Sequence, residues 1–333
     1  MIAEWNLSGK ILMTLPHADS DWAPILDEAR SQTLRIVNAL LDHGKEVLLV
    51  LPPGFKNKDS LSISKKGKIS FAEIPTNDTW TRDYGPIICE ENGRLKFIDF
   101  GFNGWGLKFA ADKDNLVNRH LDVLGSFPSG SYKNESAFIL EGGSVESDGE
   151  GTILTTTRCL CSPNRNGGLS KAEAEHEIKR RLSAKHVLFL DYGALEGDDT
   201  DSHIDTLARL APGNTIIFTG CRDENDSQFE ELLKMRAQLT TFRTLYGEPY
   251  NLIELPLPDA IFDETGQRLP ATYANYLITS DVIFMPTYQQ PAKDKLAAMT
   301  LKIAFPEHEV VSVDCTTLIK QHGSLHCATS VIP

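Results

Sequence analysis

A cysteine at position 327, a histidine at 203 and carboxylates at 83, 141 and 205 are the residues of this chain best suited to chemistry on a cationic substrate. A thiolate is the reactive form of cysteine, an imidazole relays protons, and two carboxylates can each grip a planar cation through paired hydrogen bonds. Such a set describes a guanidinium pocket. Carboxylates crowded near a thiol raise its pKa, so the positive substrate, or His203 as imidazolium, must help to generate the thiolate.

Each residue also has a plain structural reading. Cys327, in Gly323-Ser324-Leu325-His326-Cys327-Ala328-Thr329, reads equally as a small buried hydrophobe on a last apolar strand. In Asp199-x-Asp201-x-His203-x-Asp205 the alternation predicts four polar side chains on one face of an extended segment. That face could be a charged strand edge, or a metal site built from Asp201, His203 and Asp205. No H-x-x-x-H or H-E-x-x-H spacing joins it, and the expectation is no metal and no cofactor. Trp80-Thr81-Arg82-Asp83-Tyr84-Gly85-Pro86 offers an indole to stack on a cation and a turn to fix Asp83. A core tryptophan beside an Arg82–Asp83 ion pair is the alternative. Glu141 ends the apolar run Phe138-Ile139-Leu140 and precedes Gly142-Gly143, where the backbone can approach closely.

These segments lie far apart in the chain, so the fold must gather them. Eleven apolar runs read as strands: 11–15, 47–51, 69–74, 97–100, 137–140, 153–156, 187–190, 215–218, 252–255, 282–285 and 310–313. Five stretches with a 3.6-residue period read as helices: 22–41, 112–124, 170–182, 228–239 and 291–304. Ser170-x-x-Glu173 is a capping box and Pro291 suits a first helical turn. From the second helix on, helix midpoints recur about every 60 residues, compatible with a repeated β-β-α-β unit or with ordinary α/β alternation. No low-complexity linker divides the 333 residues, which predicts one domain over 1–333.

Composition narrows the partners. A net charge of −13 without a basic stripe argues against nucleic acid, and no apolar run is long enough for a bilayer. The six cysteines, at 89, 159, 161, 221, 315 and 327, show no C-x-x-C pair. Cys159-x-Cys161 would place two thiols on one face of a strand. Free thiols and an opening segment without a basic or apolar leader predict a cytoplasmic protein.

Taken together in order, Trp80 to Pro86, Glu141-Gly142-Gly143-Ser144, Asp201-Ser202-His203-Ile204-Asp205, Tyr273-Ala274-Asn275-Tyr276 and Leu325 to Thr329 resemble the agmatine deiminase and bacterial peptidylarginine deiminase family. The resemblance implies an α/β pentein fold, five ββαβ modules around a pseudo-fivefold axis. It implies Cys327 as nucleophile, His203 as general acid and base, Asp83 and Asp205 as guanidinium clamps, Glu141 as a supporting acid, and Trp80 and Asn275 lining the pocket. It also implies hydrolysis of agmatine to N-carbamoylputrescine and ammonia, with deimination of arginine or peptidylarginine to citrulline as the alternative. Asp199, or else Asp201, would meet the distal ammonium, and no Arg-x-Arg pair follows Trp80 to hold a carboxylate. The chain departs from the pattern at Ser202, commonly glycine, and in His322-Gly323-Ser324-Leu325, commonly richer in glycine. A metal-dependent hydrolase and a non-catalytic polyamine or guanidine sensor are the competing classes. The expected partner is a small cationic guanidine, and a homodimer is admitted.

Overall fold

The structure, a computed structural model, describes residues 1–56 and 58–333. Five small sheets share one connectivity. In each, an antiparallel pair is followed by a helical crossover to a parallel third strand, a ββαβ unit. β1 (Lys10–Thr14), β2 (Glu46–Leu51) and β3 (Ile69–Glu73) run parallel, with the helix Leu26–Asp42 between β1 and β2. β4 (Ile87–Glu91), β5 (Arg94–Gly101) and β6 (Tyr132–Ile139) form the next unit, and β7 (Val145–Ser147), β8 (Thr152–Thr156) and β9 (His186–Leu190) the third. β10 (Ala208–Ala211), β11 (Thr215–Gly220) and β12 (Asn251–Pro256) form the fourth, and β13 (Leu277–Ile278), β14 (Val282–Thr287) and β15 (Glu309–Asp314) the fifth. The last strand, β16 (Ser330–Ile332), pairs antiparallel with β1 and so supplies the first unit's missing strand from the opposite end of the chain.

The crossover helices form for the reasons their sequences give. Leu26–Asp42 buries Ala29, Ile36, Val37, Leu40 and Leu41, spaced to make one apolar face. Lys171–Leu182 carries the capping box, with Ser170 Oγ accepting from Glu173 N at 3.3 Å and Glu173 Oε2 accepting from Ser170 N at 2.9 Å. Phe229–Leu239 and Pro291–Ala304 follow their predicted spans closely, the latter with Pro291 in its first turn. Two predicted helices start late. The first opens as a 3-10 turn, Ala23–Ile25. The second opens as a 3-10 turn, Asp114–Leu116, and is α-helical over Val117–Val123; the Asp114 carboxylate accepts from the backbone N–H groups of Asn77 and Asp78 ahead of the Trp80 segment.

All eleven predicted strands are present, and five further ones, β4, β7, β10, β13 and β16, are each the first strand of a unit. Each begins within four residues after a chemistry-bearing side chain: Asp83, Glu141, Asp205, Asn275 and Cys327 in turn. The repeat thus delivers one segment of the site per unit.

Candidate active site

Cys327 lies not on a strand, as its apolar neighbours suggested, but in a tight turn just before β16. The turn is closed by Ala328 N donating to Ser324 O (3.2 Å) and Thr329 N donating to His326 O (3.0 Å). Asn275 holds it from the neighbouring unit. Its Oδ1 accepts from His326 N at 2.9 Å and Cys327 N at 3.3 Å, and its Nδ2 lies 3.2 Å from the thiol sulfur. Asn275 therefore shapes the turn that carries Cys327.

Asp83 sits on a one-turn helix, Thr81–Tyr84, that Gly85 closes by donating its N–H to Thr81 O at 2.8 Å. A β-carbon at Gly85 would lie 2.4 Å from that oxygen, so this corner requires glycine. Asp83 Oδ1 accepts from Gly143 N at 2.9 Å, and Oδ2 accepts from Trp105 Nε1 at 2.9 Å. Arg82 does not pair with Asp83; it turns away to Glu4, at 2.5 Å.

The predicted alternation across 199–205 does not hold. Asp201 and Ser202 both adopt φ of 67°, the left-handed region, which reverses the chain between Asp199 and His203. Ser202 thus occupies a conformation glycine takes most readily, at a cost of roughly 1 kcal/mol. The consequence is a division of labour. His203 and Asp205 turn into the centre, fully buried, while Asp201 turns outward to Arg165 Nη1 (2.6 Å) and Lys108 Nζ (2.7 Å). Asp201 is thereby removed from both the metal-site and the ammonium-binding readings.

His203 Nδ1 lies 3.5 Å from Asp83 Oδ1, and neither ring nitrogen has a well-formed hydrogen bond. Burial acts to lower its pKa, yet Asp83, Cys159 and Glu141 overcome it and hold the ring well above the ordinary histidine range. Gly143 is the common floor: a β-carbon there would sit 2.7 Å from Asp83 Oδ1, 2.8 Å from His203 Nδ1 and 3.0 Å from Asp205 Oδ2. Its neighbour Glu141 accepts from Arg165 Nε at 2.7 Å, both side chains being buried. The thiol Sγ of Cys327 is 3.9 Å from Asp205 Oδ2. Burial, then Asp205 and Asp83, push its pKa well above that of an ordinary thiol.

Cys327, Asp83, Trp80 and Asp199 face one cleft, closed on its other sides by Asp78, Trp105, Phe109 and His322. Gly323 packs so tightly on the Trp80 ring that a β-carbon would come within 2.3 Å of it. Burial raises Asp78 and Asp199 to about 6. Among the described residues lining the cleft there is no arginine or lysine. A roomier groove of about 880 Å³ lies elsewhere, beside Cys221 and Arg268, but no histidine lines it to serve that thiol as a base.

Several contributors were not read from the sequence. Trp105 adopts φ 54°, ψ 48°, a left-handed conformation that a bulky residue takes only when its surroundings insist. Its bond to Asp83 and edge-to-face contacts with Phe102 (5.0 Å) and Phe109 (5.5 Å) supply that insistence. An aromatic bracketed by glycines, Gly104-Trp105-Gly106, was the available signal. Cys159 belongs to a one-turn helix, Thr157–Leu160, not to a strand. Glu141, Cys159 and His203 present donor atoms all within 4.8 Å of one another, the group compact enough to hold a metal among the described residues. His326, next to Cys327, bonds Asp205 Oδ2 through Nδ1 at 2.7 Å.

Comparison with known proteins accords with this geometry. The chain is 47% identical, with a TM-score of 0.95, to a crystal structure provisionally described as a peptidyl-arginine deiminase, covering 100% of this chain and 98% of that one. A cysteine-to-serine variant of the C. jejuni agmatine deiminase with substrate bound is 37% identical with a TM-score of 0.89, covering 99% and 94% of the two chains. A Marinomonas sp. protein provisionally named agmatine deiminase is 30% identical over 358 residues, covering 100% of this chain and 94% of the relative. Dimethylarginine dimethylaminohydrolase shares the fold alone, at 14% identity and a TM-score of 0.52. The five ββαβ units are thus a pentein propeller, as the resemblance implied. With the family model of Porphyromonas-type peptidyl-arginine deiminases matching residues 1–333, the chain belongs to that family.

Proposed function

We propose that this protein hydrolyses the guanidine of agmatine to N-carbamoylputrescine and ammonia, the whole of 1–333 acting as a single catalytic domain. The observation that carries the reading is a buried thiol, 3.9 Å from Asp205, opening on a cleft whose charged lining is acidic. Asp83 and Asp205 hold the guanidinium, and its positive charge offsets the two carboxylates that otherwise keep the Cys327 proton in place, so that proton passes to solvent as the substrate binds. The thiolate then attacks the guanidinium carbon. His203 gives its proton to the departing nitrogen, the C–N bond breaks, ammonia leaves, and an S-alkylthiouronium remains on Cys327. Water next attacks the same carbon while His203 takes a proton from it; the C–S bond breaks and the urea product is released. Glu141, near His203, favours its charged form. Trp80 offers its ring to the cation.

The tail selects the substrate. Asp199 and Asp78 would attract agmatine's distal ammonium and repel the carboxylate of arginine or of a peptide ending in arginine. Side-by-side turnover of these three substrates tests the reading: agmatine is expected to show the highest kcat/KM, and preference for either carboxylate-bearing substrate contradicts it. No helix among the described residues is long and apolar enough to cross a membrane, and all six cysteines are unpaired, which supports a cytoplasmic location. A homodimer is compatible with the reading and not required by it, since one chain supplies every residue named.

A further inference from the structure

Asp205 is held by a chain of contacts that ends at the far terminus of the molecule. His326 Nδ1 lies 2.7 Å from Asp205 Oδ2, while its Nε2 lies 3.1 and 3.2 Å from the two carboxylate oxygens of Glu4. A carboxylate oxygen accepts and does not donate, so Nδ1 donates to Asp205, while Nε2 faces both the Glu4 carboxylate and the Arg209 guanidinium. Glu4 belongs to a 3-10 turn, Glu4–Asn6, that is fastened down on both sides. Ile2 N donates to Ile88 O at 3.0 Å, and the Met1 amino group donates to Leu182 O at 2.9 Å. Its carboxylate is also gripped by Arg82 (2.5 Å) and Arg209 (2.6 Å), so its position is overdetermined.

We propose that Glu4 is a positioning residue for the reaction: by holding His326 from behind, it fixes Asp205 with Oδ2 occupied and Oδ1 free to take the guanidinium. Asp205 Oδ1 is buried without a partner, the state expected of an oxygen reserved for a ligand. The electrostatics require Glu4. Arg209 Nη2 stands 3.1 Å from His326 Nε2, and Arg82 Nε lies 3.5 Å from the His326 carbonyl oxygen. Without the Glu4 carboxylate the His326 ring would lose the acid that pairs with Arg82 and Arg209 beside it. The ring would be free to swing away, and Asp205, buried beside Asp83, would lose the donor that keeps it ionised and aimed. This buttress differs in kind from the other clamp's, since Asp83 is held by neutral donors.

The inference rests on Asp205 being a substrate clamp, so its test has a limb that needs no substrate. Glu4→Gln keeps the shape and removes the charge. It is expected to raise KM for agmatine about tenfold, from the loss of one charge-assisted hydrogen bond, with kcat changed less than about threefold. Glu4→Asp, which restores a carboxylate, should recover at least part of the loss. A folded Glu4→Gln protein with the wild-type KM, or a loss that Glu4→Asp fails to relieve, overturns the proposal. Independently, ¹⁵N spectra of histidine-labelled wild-type protein should show His326 Nδ1 carrying a hydrogen-bonded proton, and a ring protonated at Nε2 alone would overturn the relay. That measurement stands if Glu4→Gln does not fold. It also stands if wild-type protein leaves agmatine untouched, an outcome that would refute the substrate assignment instead.

Discussion

Asp83 and Asp205 are the same residue type in the same cleft, both buried, and their surroundings push them in opposite directions. Asp83 takes hydrogen bonds from two neutral donors, the Gly143 N–H and the Trp105 indole. Burial raises its pKa, with Asp205 and Glu141 adding repulsion against the opposing charge of His203. Burial also acts to raise Asp205, but the hydrogen bond and charge of His326 overcome it and hold that carboxyl below its ordinary range. The surroundings of Asp205 therefore favour its charged form, whereas those of Asp83 oppose it, with His203 as the offsetting charge. The lesson is that a pair of carboxylates need not act as a symmetric tweezer: in the proposed reaction Asp205 recruits the cation, and Asp83 couples the cation to His203.

Replacing each clamp by asparagine separates these roles. Asp205→Asn should cost about 10²- to 10³-fold in kcat/KM, on the roughly 3–4 kcal/mol of a lost buried charge pair, expressed mainly as a raised KM. Asp83→Asn should fall mainly on kcat, because His203 Nδ1, 3.5 Å away, loses the first of the charges that favour its protonated form. Steady-state kinetics of the two variants, checked for native circular dichroism, decide this; equal splits between kcat and KM would erase the asymmetry.

A smaller change sharpens it. Trp105→Phe removes one donor from Asp83 and none from Asp205, and should lower kcat/KM roughly ten- to hundredfold, the value of one hydrogen bond to a charged acceptor. Its sign with pH follows from the bond. The indole favours ionised Asp83, so its loss raises that pKa further, and Asp83 becomes protonated at a higher pH as the solution is acidified. The acid limb of the kcat/KM profile should therefore move to higher pH. His203, Asp205 and Glu141 face the same carboxyl and are unchanged in this variant. An acid limb that stays in place or moves to lower pH would show that Trp105 merely packs the loop.

The sequence made the outer parts of this molecule legible and left the inner ones hidden, for a physical reason. The crossover helices and the second and third strands of each unit carry apolar periodicity, because they pack in layers. β7, β10, β13 and β16 are too short for a period to register, and Glu146, Arg209 and Ser330 interrupt them with buried polar groups. Arg209 sits in β10 because Glu146 of β7 and Glu4 pair with it and the Tyr276 ring lies 4.6 Å away, partners no local pattern reveals. Cys327, His203, Asp83, Asp205 and Glu141 could be picked out through ordered motifs. Their supports could not: Trp105 reaches Asp83 across 22 residues, and Glu4 reaches His326 across 322. The misread segment at 199–205 shows the same limit, since two non-glycine residues at positive φ break an alternation that residue types alone predict.

The central claim is that Cys327 attacks the guanidine carbon. Rapid acid quench of the protein during turnover of agmatine, followed by peptide mass spectrometry, tests it most directly. The account predicts a peptide containing Cys327 heavier by agmatine less one ammonia, and no such adduct in Cys327→Ala. Full turnover by Cys327→Ala, or an adduct on another cysteine, would contradict it.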